Sequence, residues 1–196
     1  MANFSKRQLE IIYASIALIG EGGIQEFTIK NLANKIGFVE AAAYRHFKSK
    51  SDILFAVLTF LEDIIIKKFD EIKQKDESPL VRIKSTINEY FSYFSNNPAL
   101  ITVHLSDGIY KNEPTVQSKV LNIMDDTISH FKYLIDESAS KGEIRADIDS
   151  SELALIIVGT MRITVTRWAL KNNSFDINSD TEKIFSILQT LLIKES

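Results

Sequence analysis

Apolar side chains recur three and four positions apart through nearly every part of this 196-residue chain, which is the period of an α-helix. Leu9, Ile12, Tyr13, Ile16 and Ile19 form the first stripe. They predict a helix from about Phe4 to Glu21 that stops in Gly20-Glu21-Gly22-Gly23, because glycine adopts a left-handed C-cap at little cost. Thr28 is placed to cap a short helix carrying Ile29, Leu32, Ala33 and Ile36. Gly37 breaks that pattern, and a second short helix is predicted from Glu40 to Phe47. Lys48-Ser49-Lys50-Ser51 reads as a turn. Ser51 or Asp52 then starts a long helix through Ile53, Val57, Phe60, Leu61, Ile64 and Ile65 to about Lys75, about 40 Å in length. The next helix carries Ile83, Ile87, Tyr90, Phe91 and Phe94 and ends at Asn96-Asn97-Pro98. A short apolar segment, Ala99 to Leu105, follows. Helical spacing resumes from Val116 through Leu134 to about Ser140. After a loop from Lys141 to Asp149, Ser150 or Ser151 caps a strongly apolar helix to about Lys171. The last helix runs from about Ser179 to Ile193. No strand pair, internal repeat or low-complexity stretch interrupts this order. The expectation is an all-α fold of about nine helices. A three-helix head, residues 1–50, is joined by the long fourth helix to a helical body, residues 51–196.

Composition narrows the function more than the fold. Apolar residues make up 45% and charged residues 25% of the chain, as in ordinary soluble globular proteins. No cysteine is present, which excludes disulfides, thiol catalysis and cysteine-bound metal, and suits a reducing compartment. No apolar run approaches the length of about 18 residues that suggests a membrane span. The N-terminus MANFSKRQLEII lacks the long apolar segment and cleavage site of a signal peptide. A cytoplasmic protein is expected. No Gly-x-Ser-x-Gly or paired Ser-Lys motif appears. The glycines at 20–23 have neither a preceding strand nor a following Lys-Ser/Thr, which argues against a phosphate-cradling loop. The histidines, at 46, 104 and 130, form no ligand cluster, even with Asp107 near His104. The chain is expected to be no enzyme and to need no metal or cofactor.

The formal net charge of −3 conceals an asymmetry: residues 1–50 sum to +3 and the remainder to −6. A basic end on an acidic body points to a polyanionic partner for that end alone. Within it, GFVEAAAYRHFKSKSDIL, residues 37–54, sets three alanines directly before Tyr-Arg-His-Phe. Two short helices joined by a turn at Gly37 make a helix-turn-helix candidate, in which the second helix enters the major groove. The groove is about 12 Å wide, close to the diameter of a helix with its side chains. Ala41 and Ala42 permit close approach to base edges. Tyr44 offers a hydroxyl to a phosphate, and Lys48 and Lys50 sit where ammonium groups neutralise the backbone. The competing reading is a small helical hairpin packed within a core.

The string TIKNLANKIGFVEAAAYRHFKSK, residues 28–50, resembles the DNA-binding domain of the TetR family of bacterial transcription regulators. The likeness is sharp over residues 9–58. Beyond them it is architectural: similar length, a helical body, and a Gly-x-Ile-Arg-x-Asp loop before two final helices. The resemblance implies contacts from Thr28 and Lys30 to phosphate or a base edge. Glu40, Ala41 and Ala42 would face bases, and Tyr44 and His46 phosphates. His46 would also buttress the fold, Arg45 would reach a base or phosphate, and Lys50 would hold phosphate. Two positions depart from the family. Val39 stands where serine or threonine is usual, removing a helix cap and a phosphate-binding hydroxyl. Ala43 replaces a large aliphatic residue, a space that Phe38 is expected to fill.

A single short recognition helix reads few bases, so a symmetric dimer on a palindromic double-stranded operator is expected. SELALIIVGTMRITVTRWAL, residues 151–170, is apolar around most of its circumference and needs cover on more than one face. Gly159 and Thr160 allow close approach. The resemblance implies that the last two helices pair with their copies in a homodimer, the alternative being a fully internal helix. The body is then a ligand-binding and dimerisation domain. Its candidate lining groups for a small-molecule effector are Phe60, Tyr90, Phe91, Phe94, His104, Tyr110, Met124, Phe131, Arg162 and Trp168. Each aromatic and Met124 reads first as ordinary core. Arg162 interrupts an apolar helix and asks for a carboxylate, an anionic ligand or a place at the dimer rim. The expected function is a ligand-responsive transcription regulator, a repressor, with no membrane partner. The alternative is a DNA-bound interaction protein of the nucleoid-occlusion type, as some members carrying Glu-Ala-Ala-x-Tyr-Arg-His-Phe are. A third reading is a helical scaffold independent of DNA.

Overall fold

The computed structural model describes residues 2–37, 39–105 and 113–193, without the side chains of residues 104 and 105. Among the described residues the fold is all-α, with no strand. Its nine α-helices are α1 Lys6–Gly22, α2 Ile29–Ile36, α3 Glu40–Ala43, α4 Lys50–Lys73, α5 Pro79–Asn96, α6 Ala99–Leu105, α7 Pro114–Ser140, α8 Ser150–Leu170 and α9 Ser179–Leu192.

Most helices start where a side chain replaces a missing backbone acceptor. Ser5 and Gln8 form a capping box on α1. Thr28 Oγ1 accepts from the Asn31 amide at 3.1 Å, and Gly37 closes α2 in the left-handed region at φ 77°, ψ 36°. Ser49 Oγ accepts from the Asp52 amide at 3.0 Å while the Asp52 carboxylate accepts from the Lys48 amide at 3.0 Å. These two bonds start α4 at Lys50, earlier than the Ser51 or Asp52 expected. Asp149, rather than Ser150 or Ser151, caps α8: its Oδ1 accepts from the Ser151 amide at 2.8 Å and the Glu152 amide at 3.1 Å. A carboxylate there also faces the positive end of the helix dipole.

α1 ends among its glycines, as expected: it runs through Gly22, and Gly23 caps it at φ 78°. Gly20, inside the helix, serves packing: a Cβ there would overlap Ala99 Cβ and lie 2.7 Å from Ala99 Cα. One expectation about helix length is corrected. The second helix of the motif stops at Ala43 rather than Phe47. Its N-cap Val39 supplies no side-chain bond, and the chain tightens after Ala43, whose carbonyl accepts from both His46 at 3.0 Å and Phe47 at 3.1 Å. The pairing of Phe38 with Ala43 falls outside the described residues.

The backbone forms two compact units, residues 1–65 with 97–123 and residues 66–96 with 124–196. In the first, α1 packs on α2 and α6, and α2 on α3. Its core includes Ile11, Ile12, Ile19, Phe27, Leu32, Ala43, Phe47, Ile53 and Val57. In the second, α5 packs on α8 and α9 around Phe69, Ile87, Phe91, Phe94, Phe131, Met161 and Val165. One sequence expectation needs amendment here. By length and composition α8 is long and apolar enough to cross a membrane. One of its faces, from Leu153 and Ala154 through Ile157 and Met161 to Val165 and Trp168, is buried.

Candidate nucleic-acid interface and helical body

Local sequence sets the display of the motif. Ile29, Leu32 and Ala33 are buried on α2, so Thr28 and Lys30 are left exposed. Ala43 and Phe47 are buried in turn, which turns Glu40, Ala41, Tyr44 and Arg45 to the surface and leaves Ala42 and His46 half-buried. Lys48 and Lys50 are exposed beyond them. Lys50 Nζ lies 5.3 Å from the centre of the Phe27 ring. The side chains proposed to meet DNA therefore come from one continuous stretch plus the start of α2. Thr28 has a second role, because its hydroxyl already accepts the Asn31 amide. Val39 is the largest apolar addition to this surface, exposed at 72%.

The proposed ligand residues divide. Phe60 belongs to the first unit and meets Tyr13 edge-on at 5.3 Å. In the second unit Tyr90 meets Phe91 at 6.0 Å and Phe94 at 5.0 Å, both edge-on. Burial pushes the Tyr90 hydroxyl far above its ordinary pKa, and the charge of Arg162 pulls partly against that shift. Arg162, half-buried, directs Nη1 to Met124 Sδ at 4.0 Å. Tyr90, Met124 and Arg162 are thus neighbours. Phe131 is fully buried and packs on His130. Trp168 donates its indole N–H to the Phe175 carbonyl at 2.7 Å, a bond that closes the turn after α8. His104 and Tyr110 lie outside the described side chains. Among the described residues no group of three potential metal ligands assembles.

A buried polar network escaped the sequence reading. Arg82, 4% exposed, donates from Nη1 to the Lys73 carbonyl at 2.9 Å and from Nη2 to Glu137 Oε1 at 2.6 Å. Lys141 also donates to that oxygen, at 2.8 Å. Its hydrogen bond, ahead of that of Arg82, holds the Glu137 carboxyl below its ordinary pKa. Thr86 Oγ1 donates to the Arg82 carbonyl and lies 3.0 Å from His130 Nε2. The His130 ring stacks on Phe69 at 4.4 Å. Burial, then the charges of Lys73 and Arg82, lowers the pKa of His130 from 6.5 to about 3, so the imidazole is neutral. The sequence signal was present: Arg82 and Thr86 lie four apart beside the apolar stripe of α5, as Arg162 interrupts that of α8.

The second unit also leaves an apolar stripe of α8 and large apolar side chains of α9 open. Leu155, Ile156, Ile163 and Leu170 on α8, with Ile187 and Leu191 on α9, are exposed large hydrophobics. Gly159 lies within that stripe, and a Cβ placed on it would meet nothing within 4 Å. Glycine inside a helix costs about 1 kcal/mol relative to alanine, and among the described residues nothing crowds it here.

Comparison with known proteins accords with this geometry. Residues 11–57 match the model for bacterial regulatory proteins of the tetR family, and residues 46–191 that for the YsiA-like protein, C-terminal region. A nucleoid occlusion factor, SlmA of Idiomarina loihiensis, is 24% identical over 152 residues, 78% of each chain. The fold matches the fatty acid degradation regulator FadR of Bacillus halodurans with a TM-score of 0.86, at 18% identity and covering 96% of this chain and 97% of that one. It also matches FadR of Bacillus subtilis, solved in complex with stearoyl-CoA, with a TM-score of 0.82, at 22% identity and covering 92% and 96% of the two chains.

Proposed function

We propose that this chain, which belongs to the TetR family of bacterial DNA-binding transcription regulators, is a homodimeric repressor that releases its operator when a small molecule occupies its helical body. Residues 1–50 read DNA, and residues 51–196 pair and sense. The observation that carries the homodimer is the open apolar stripe of α8 and α9 with Gly159 inside it. A two-fold contact buries that stripe on both copies at once, and the bare glycine lets the two backbones approach. Half-sites about 34–36 Å apart then meet two copies of α3 together.

The effector we favour is a long-chain acyl compound with an anionic head. The fold likeness to FadR with bound stearoyl-CoA supports the class, as does the placing of Arg162 beside Tyr90 and Met124 in an aromatic interior. α4, about 36 Å long at 24 residues, is the lever between sensing and reading. The effector acts only by binding the released arrangement more tightly than the DNA-bound one. The protein works in the cytoplasm, beside the chromosome. A second reading keeps the DNA contact and replaces the effector with a protein partner, and the similarity to a nucleoid occlusion factor favours it.

Two measurements test the proposal. Ile163→Glu places like charges face to face in a two-fold contact. It is expected to raise the dimer dissociation constant about 100-fold or more in sedimentation equilibrium while circular dichroism stays unchanged. A variant as dimeric as the wild type contradicts the interface. Stearoyl-CoA is expected to weaken operator binding about tenfold. Operator affinity indifferent to saturating stearoyl-CoA removes the acyl effector and leaves the protein-partner reading.

A further inference from the structure

The recognition segment carries an apolar side chain that its fold does not use. Val39 is 72% exposed, its backbone is extended at φ −88°, ψ 147°, and it caps nothing at the start of α3. Two unfavourable features coincide at this residue. A serine, threonine, asparagine or aspartate would cap α3 and would not leave a branched hydrocarbon in water. The motif already buries its structural apolar groups, Ala43 and Phe47, so the core has no claim on Val39. Its neighbours on the same surface are polar or small: Glu40 and Ala41 are exposed and Ala42 is half-covered.

A side chain with two methyls and no polar atom makes no hydrogen bond to phosphate. The apolar feature that a base pair presents in the major groove is the C5 methyl of thymine. We propose that Val39 reads a thymine methyl in each operator half-site and is a specificity-determining residue of this regulator. The proposal rests on the DNA-reading role assigned above to residues 1–50. It places the principal apolar contact on Val39 rather than on Ala42, whose single methyl is half-covered.

The probe is a set of duplexes recovered by the full-length protein from a randomised library. Each thymine of the recovered half-site is replaced in turn by deoxyuridine, which lacks only the C5 methyl. Replacement at one thymine per half-site is expected to weaken wild-type binding about fourfold, and about 15-fold with both half-sites changed. In Val39→Ala that loss is expected to shrink below about twofold. Val39→Ser is the folded control: it restores a cap, is expected to raise the melting temperature by about 2–4 °C, and loses the same discrimination. A wild type indifferent to every deoxyuridine overturns the proposal. So does a Val39→Ala variant that keeps the full deoxyuridine loss, because the methyl is then read by another residue. Failure to enrich any duplex overturns the DNA-reading role itself, and Val39 falls with it.

Discussion

The two compact units use charge in opposite ways. In the first, Lys30, Arg45 and Lys48 are exposed, and among the described residues none of them forms an ion pair. Even the shielded pair of that unit, Lys119 with Glu62, belongs to α7 and α4 and not to the motif. In the second, Arg82 and His130 are buried and each is tied to neighbours on other helices or on its own. An exposed cation contributes little to stability and is therefore free to serve a polyanion. A buried one is held by what surrounds it, and its loss falls on the fold. Substitution at the two kinds of site should separate binding from stability.

Arg82→Ala is the strongest break. It leaves the Lys73 carbonyl without its donor and Glu137 with Lys141 alone, and is expected to cost about 3 kcal/mol in urea denaturation. Lysine at 82 should rescue little of it, because one ammonium cannot reproduce a fork that serves two helices. A wild-type midpoint in Arg82→Ala would show that the buried network is not what holds this unit.

Acid is the next lever. The folded pKa of His130, about 3, lies below its ordinary 6.5, so the unfolded chain binds the proton first. The contribution of His130 to stability is complete above about pH 6.5 and is lost as pH falls toward 3, about 2 kcal/mol of it by pH 5. His130→Gln removes this titration, so its stability should decline less than that of wild type between pH 7 and pH 5. Parallel declines would contradict a buried neutral imidazole.

The mildest perturbation is at the motif. Lys50→Ala is expected to leave the melting temperature within about 1 °C and to reduce the slope of log affinity against log salt by about one unit, equally for all duplexes. A sequence-dependent loss would make Lys50 a reader of bases instead.

Helical periodicity made the number and order of the helices legible, because each buries one face at a spacing of three and four. The motif was legible in more detail still, since Thr28 and Gly37 act through their own backbone neighbourhood. The end of α1 was legible too, since Gly23 closes it, although Gly20 is also a packing position against Ala99, a residue remote in sequence. One helix end misled. The recognition helix looked eight residues long because Tyr44 to Phe47 continue its spacing, but Val39 gives it no cap and the chain tightens after Ala43. The network of Arg82, His130 and Glu137 was only half legible: Arg82 and Thr86 lie four apart on α5, but their partners come from α4 and α7, and no local pattern pairs them. The aromatic residues of the body were visible as a set, but periodicity does not distinguish a lining from a core.

The approach of Gly20 to Ala99 has a mechanical side. Side chains between helices normally act as springs, since a change of rotamer absorbs a shift of one element before the other feels it. Where α1 meets α6 at this point there is only hydrogen on one side and a methyl on the other, with no torsion angle to give way. A sideways push from α6 at that place reaches α1 undiminished, like a gear cut without backlash.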